Sequence, residues 1–181
     1  MEQTKQIKAL SSERLAGERN HLYRVLTWGA VNAMGGGALW AVEDAGSVRS
    51  SFGQQSSLWG LVNVGIASVG LLTPDGEPTT DLTEALHAER RYHDILLANL
   101  GLNVGYMGVG AAMIIAAGEG VSRGDAWRGH GGALVLQGLG LFALDAISWA
   151  ASRSRLSGLV SMIGDASASA APGGIGVAVR F

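Results

Sequence analysis

Three stretches of this chain carry no charged residue: 18 residues between Arg24 and Glu43, 25 between Arg49 and Asp75, and 24 between Asp94 and Glu119. A fourth, Gly129 to Ser152, holds a single acid, Asp145. A bilayer core of ~30 Å takes about 20 apolar helical residues, so each stretch has spanning length. Long helices of a soluble bundle would instead show a polar stripe at the 3.6-residue period, and residues 50–74 and 95–118 offer no charged one. The composition agrees, with 48% hydrophobic residues, 15% charged residues and 28 glycines in 181. These features predict an all-α fold, a four-transmembrane-helix bundle over residues 22–152. Its spans are expected at about 24–42, 52–72, 94–117 and 129–152. A cytoplasmic N-terminal helical segment, 1–21, would precede it and a flexible C-terminal tail, 153–181, would follow.

Basic residues orient the bundle. Lys5, Lys8, Arg14, Arg19 and Arg24 precede the first span, Arg90 and Arg91 lie in the second connection, and Arg153, Arg155 and Arg180 follow the last span. Only Arg49, Arg123 and Arg128 fall on the other side. Ten against three places both termini and the 74–94 connection on the cytoplasmic side of the membrane. The N-terminus lacks the apolar core and cleavage site of a secretory signal, so the first span is expected to act as an uncleaved insertion signal. In the second connection, "TPDGEP" is a turn cluster, and Asp81 with Glu84 has capping-box spacing for the helix that follows. The last residues, Ile175, Val177, Val179 and Phe181, alternate with Gly176, Ala178 and Arg180 at strand period, which suits a flexible tail or a strand docking on a partner.

Set side by side, the spans share a pattern. "WGAVNA" at 28–33 and "WGLVNV" at 59–64 match at Trp, Gly, Val and Asn, "NLGLNVG" occupies 99–105, and "LFALDA" occupies 141–146. The pattern suggests two related helical hairpins, each span carrying one polar side chain at an equivalent point: Asn32, Asn63, Asn103 and Asp145. Counted from the cytoplasmic ends at 1.5 Å per residue, all four fall within ~5 Å of one depth and could form a single layer. Asn99 lies one turn below Asn103, and Gln137 about two turns above Asp145.

Such a layer has two explanations. Amides that hydrogen-bond between helices hold them in register while small residues allow close approach, as at Gly29 with Ala33 and Gly101 with Gly105. Alternatively, an intramembrane carboxylate marks a proton, ion or ligand site, with Asp145 at its centre. The expected function is therefore that of a structural or small-ligand-binding membrane bundle. A small transporter or proton-coupled carrier using Asp145 is the alternative.

No metal or cofactor is expected. Cysteine is absent, which removes disulfides, thiolate chemistry and cysteine-ligated metal. His87 and His93 are six residues apart, only Glu89 with His93 has the i, i+4 spacing of a helical metal site, and His21 and His130 stand elsewhere. Solvated interfacial histidines are the plain expectation. Without a nucleotide loop, nucleophile elbow or metalloprotease helix, the chain is not expected to be an enzyme. A net charge of −2 speaks against nucleic acid. The expected partners are the lipid bilayer and a second copy of the chain or another membrane protein.

"FGQQSSLWGLVNVGIASVGLL", "YHDILLANLGLNVGYMGVGAA" and "GHGGALVLQGLGLFALDA" together resemble a family of small, uncharacterised bacterial integral membrane proteins with four spans. The resemblance covers about residues 22–150. It rests on Phe52, Gln54, Trp59, Val62 and Asn63, on Asn99, Gly101, Asn103, Gly105 and Tyr106, and on Gln137, Gly138 and Asp145. Gly53 stands where the family pattern has His and Gly60 where it has Asn. The resemblance implies the membrane fold and this choice of polar residues, and no activity.

Overall fold

The computed structural model describes residues 1–169, with side chains through Ile163. Four helices follow one another: α1 (Glu2–Val42), α2 (Val48–Leu72), α3 (Leu82–Gly118) and α4 (Gly124–Ser169). No strand occurs among the described residues, and the alternating segment at 175–181 lies outside them.

Each helix begins and ends for a local reason. α1 runs 41 residues without a proline, and Gly35, Gly36 and Gly37 do not break it. It ends where Glu43 turns extended and Gly46 takes a φ of +81°. The Ser47 side chain caps α2 by accepting from Ser50 N. α2 stops at Leu72, just before Pro74, which has no N–H to continue the ladder. Asp81 caps α3 by accepting from Glu84 N at 2.8 Å. The reciprocal half of the expected capping box is replaced: Glu84 accepts from the Thr79 hydroxyl, and that hydroxyl in turn accepts from Asp81 N. This 73–81 connection is tied to α1 by Thr79 N donating to Ser11 Oγ and by an Arg19–Asp75 ion pair at 2.9 Å.

Two boundaries expected from hydropathy do not separate elements. Residues 1–21 and the first apolar stretch are one helix, and α4 continues past Ser152 through the start of the expected tail to Ser169. In α4 a stripe at spacings of three and four runs on as Ser152, Arg155, Leu159 and Met162, all buried. Falling hydropathy ended the expected span; the packing period did not end.

Packing comes in pairs. α1 lies along α2 and α3 along α4, with α4 also against α2 and, more lightly, α1. Small residues let α1 and α2 approach: a Cβ placed on Gly29 would lie 2.8 Å from the Gly60 carbonyl oxygen, and one on Gly36 would lie 2.7 Å from that of Gly53. The two "WG-V-N" segments thus meet at their glycines. Gly101 and Gly105 behave differently from expectation, facing open space rather than a neighbouring helix. α3 approaches α4 instead at Gly110 with Gly131 and at Asn103 with Gly138.

All four helices are long and apolar enough to cross a membrane. Large apolar side chains point outward from each, including Met34 (70% exposed), Ile66 (63%), Ile115 (65%) and Ile147 (56%). At ~1.5 Å per residue, α1 is ~60 Å long and the 25-residue α2 only ~38 Å. The N-terminal half of α1, the start of α3 and the end of α4 therefore extend beyond α2 as a three-helix section. That section has an ordinary core of Ile7, Ala85, Leu159 and Met162, flanked by Leu10, Leu82 and Leu86.

Candidate functional site

Where α2 faces α3 the bundle is open. No Cα of α2 comes within 8 Å of one in α3 among the described residues. At one end side chains span the gap, where the Trp59 and Tyr106 rings meet edge to face with centroids 4.9 Å apart. Below that bridge lies a cavity of about 670 Å³. It follows α3 from Tyr106 down to Ala88, a distance of ~27 Å at 1.5 Å per residue. Its sides are Val62 and Ile66 of α2 and Ile95 and Leu102 of α3, all substantially exposed. Its floor is polar: Asn63, Asn99, Asn103, His21 and Asp145. Arg14, Glu18 and Arg91 stand at the mouth.

Asp145 is buried and fully engaged. Asn103 Nδ2 donates to its Oδ2 at 2.7 Å, and His21 Nε2 lies 3.1 Å from its Oδ1. His21 Nδ1 is 2.9 Å from Ser148 Oγ. With the proton on Nε2, the imidazole donates to the carboxylate and accepts from the hydroxyl, so one neutral tautomer satisfies all three groups. Asp145 and Ser148 are one turn apart on the same face of α4, which lets a single histidine from α1 span both.

The same face of α4 continues one turn further into a second buried cluster. Glu89 of α3, 1% exposed, accepts from Ser152 Oγ at 2.5 Å and from Arg155 through Nε at 2.9 Å and an Nη at 3.0 Å. This forked pair satisfies both carboxylate oxygens, as a buried charge requires. Nearby, burial pushes the Tyr92 hydroxyl up to about 12. The Asp145 and Glu89 clusters make one polar row along α4.

The structure brings some of the expected layer together and not the rest. Asn103 and Asp145 bond directly, and Asn63 and Asn99 face the same cavity. Asn32 does not join them: its Nδ2 donates at 2.8 Å to the Trp28 carbonyl, one turn back on its own helix. Equivalent places in the repeat diverge because α1 and α2 are antiparallel. Asn63 lies beside Gly29, where a Cβ on the glycine would meet its Cβ at 2.9 Å, so Asn32 stands about one turn, ~5 Å, away along the axis. Gln137 also belongs elsewhere: its Oε1 accepts from Trp28 Nε1 at 3.0 Å, where the indole lies over Gly140.

Sequence reasoning passed over His21, Glu89 and Arg155. His21 was expected at a solvated interface, yet it is buried against α4. The readable signal was spacing: eleven residues, close to three turns, separate His21 from Asn32 on one face of α1. Glu89 and Arg155 supply the second buried charge cluster that hydropathy alone did not suggest. Of the other histidines, His93 accepts from Trp149 Nε1 at 3.1 Å, and His87 is exposed.

Two residues that line the cavity each hold a buried donor atom with no partner in the protein. Asn63, 6% exposed, leaves its NH2 group unpaired, and the buried Trp59 Nε1–H one turn away on α2 is likewise unpaired. At the mouth, Arg14 holds Glu18 through an Nη at 2.6 Å while its buried Nε is unpaired.

No curated protein and no solved structure matches the chain. One family model does, over residues 24–146, from the start of the first apolar stretch of α1 to the residue after Asp145. That stretch includes Trp59, Asn63, Asn99, Asn103 and Asp145, while His21 and Ser148 lie just outside it. The match covers more than half of the sequence, and the chain belongs to the family of unknown function DUF6992.

Proposed function

We propose that the protein is a multi-pass inner-membrane protein, with both ends in the cytoplasm, that holds a small molecule in the cavity between α2 and α3. The observation that carries this reading is the open seam in a bundle otherwise packed by glycine: α2 and α3 stand apart, and the space between them has exposed apolar walls and a polar floor. Membrane placement is supported by the four long apolar helices and their outward-facing Met34, Ile66, Ile115 and Ile147. The basic residues that cluster beside the three-helix section support its cytoplasmic orientation.

Binding is favoured over catalysis. Ser148, His21 and Asp145 form a row of the kind that activates a hydroxyl nucleophile when the hydroxyl faces substrate. Here His21 and Asp145 line the cavity and Ser148 does not, so the serine braces the imidazole from behind. A proton-coupled carrier is the second reading, and that hydrogen-bonded row from Asp145 through His21 to Ser148 is what favours it.

Two measurements test the proposal. Because the chain has no cysteine, single cysteines at Gly76 and Asp44 can be labelled in membrane vesicles with an impermeant reagent. The expected result is cytoplasmic labelling at position 76 and opposite-side labelling at 44; same-side labelling of both sinks the topology. Native mass spectrometry of protein released from its own membrane should show a retained small molecule, lost in Leu102→Trp, which fills the cavity. Asp145→Asn separates the two readings: retained binding without proton uptake marks a carrier, and no change in proton uptake leaves a binding protein.

A further inference from the structure

Resting on that reading of the cavity, we infer that its occupant is an organic monocation, a protonated amine on an apolar body, with the ammonium head at Asp145 and the body along Val62, Ile66, Ile95 and Leu102. The two buried carboxylates among the described residues decide the chemistry. Glu89 does not line the cavity and has a permanent cation of its own, the Arg155 guanidinium in forked contact at 2.9 and 3.0 Å. Asp145, 4% exposed, lines the cavity and has none. Its oxygens meet the Asn103 amide, which is uncharged, and the His21 imidazole, which is uncharged in the tautomer that also accepts from Ser148. Burying a carboxylate is costly unless a positive charge faces it, and the side of Asp145 left open to one is the cavity.

The arginines that line the cavity do not supply that charge. Arg14 is paired with Glu18 at 2.6 Å at the mouth, and the exposed Arg91 is ~18 Å below Asn103 along α3 at 1.5 Å per residue. The rest of the deep end suits an ammonium. Asn63, Asn99 and Asn103 line the same cavity, and their side-chain oxygens accept no hydrogen bond among the described residues, while an ammonium carries three N–H donors and no acceptor. The Trp59 and Tyr106 rings close that end with aromatic surface, whose faces attract cations. An anionic head would lie beside the Asp145 carboxylate in a poorly screened site, as would the phosphate of a zwitterionic lipid. A neutral head would leave the carboxylate's charge unanswered.

The walls and the shape limit the occupant further. Val62, Ile66, Ile95 and Leu102 are exposed on the side where α2 and α3 stand apart, so the cavity opens on the surface that the proposed placement turns to lipid. Spread over its ~27 Å length, the volume of about 670 Å³ gives a narrow slot, too thin for a peptide helix of ~10 Å diameter. An amine with one hydrocarbon chain fits it. A bare metal ion would leave these apolar walls uncovered, and no group of three or more His, Asp or Glu that could hold one occurs among the described residues.

The test uses the full-length protein in nonionic detergent micelles with probes that share one chain and differ in head charge: octylammonium, octanol and octanoate, with a lysophospholipid bearing an ethanolamine head as a fourth. Affinities are measured for the wild type, Asp145→Asn, Asn99→Leu and Ile95→Trp, and thermal unfolding is followed for each. The expected result is that octylammonium binds the wild type about tenfold more tightly than octanol, a difference of ~1.4 kcal/mol, and that octanoate binds most weakly. Asp145→Asn should weaken octylammonium about tenfold without abolishing it and leave octanol within twofold. Asn99→Leu should weaken octylammonium severalfold without lowering the melting temperature, because the Asn99 side chain bonds to nothing else among the described residues. If Asp145→Asn does not fold, the order of the probes on the wild type and the Asn99→Leu affinity decide. Equal affinity for octylammonium and octanol shows that Asp145 is already neutralised, by a proton on itself or on His21, and overturns the inference. Tighter binding of octanoate or of the lysophospholipid, no binding of any probe, or an octylammonium affinity within twofold of wild type in Asn99→Leu and in any folded Asp145→Asn, overturns it as well. If octanol and octylammonium bind equally and Ile95→Trp abolishes both, the cavity reading stands without the cation; if Ile95→Trp changes nothing, both fall.

Discussion

The two lengths of this molecule are packed by opposite rules although α1, α3 and α4 run through both. In the three-helix section, Ile7, Ala85, Leu159 and Met162 are inside, and Lys5, Lys8 and Glu13 are exposed. Along the rest, the inside is Gly29, Gly36, Gly53, Gly60, Ser56 and Asn103, and the outside is Met34, Ile66, Leu61 and Ile115. In water, burying apolar surface drives helices together at ~25 cal/mol per Å². In hydrocarbon that force is absent, and close backbone approach with a few hydrogen bonds must replace it. The proposed membrane placement accounts for the inversion: the surroundings change partway along α1, α3 and α4, and the sequence changes sides with them.

The comparison can be broken at several points. The largest effect is expected at the buried pair of the three-helix section. Glu89→Ala leaves Arg155 buried without its partner and should cost about 3–5 kcal/mol, whereas the double change Glu89→Leu with Arg155→Leu should cost far less. Chemical unfolding of both in detergent decides whether the pair is needed or merely balanced. Next, Leu159→Ala should cost about 2–5 kcal/mol through the cavity it leaves, while Ile66→Ala, on the outward face, should stay within about 0.5 kcal/mol. Equal costs would show that the two regions do not differ in sidedness.

A smaller contrast separates glycines within the apolar length. Gly60→Ala places a methyl against the backbone of Ala33 and Gly29 and should cost about 1–3 kcal/mol by overpacking. Gly101→Ala meets open space and should be neutral or stabilise by up to ~1 kcal/mol through helix propensity. The smallest effect concerns pH. The Tyr92 hydroxyl, raised by burial to about 12, favours the folded state while protonated. Its contribution is complete below pH ~10, the value for a free tyrosine, and is lost as pH rises from there through about 12. Melting temperatures measured from pH 8.5 to 11 should fall less steeply in Tyr92→Phe than in the wild type.

The apolar helices were legible because length and absence of charge are one-dimensional properties, readable without knowing any neighbour. Asn103 and Asp145 were legible as partners for the same reason, since both lie at similar distances from the ends of their apolar stretches nearest the three-helix section. Asn32 misled because a position in sequence does not record where its side chain turns: the amide donates to the Trp28 carbonyl of its own helix. His21 and Arg155 were hidden by their company: each stands in a charged stretch, where the ordinary inference is exposure. Only the stripe at spacings of three and four, carried across the hydropathy boundary from Asp145 through Ser148, Ser152 and Arg155 to Leu159, marks that stretch as interior. The open seam between α2 and α3 was not legible at all, since nothing in either helix alone records that the other is distant.

The connections make the molecule lopsided. One end consists of residues 43–47 and 119–123, two short links between helix ends; the other bears the protruding halves of α1, α3 and α4 and the 73–81 strap tied down by Ser11 and Arg19. A protease, an antibody or a soluble partner arriving from the bare end finds almost no surface to grip. Under the proposed membrane placement, contact between the described residues and molecules dissolved in water is concentrated on that one face, and proteolytic shaving of it should remove most of that contact.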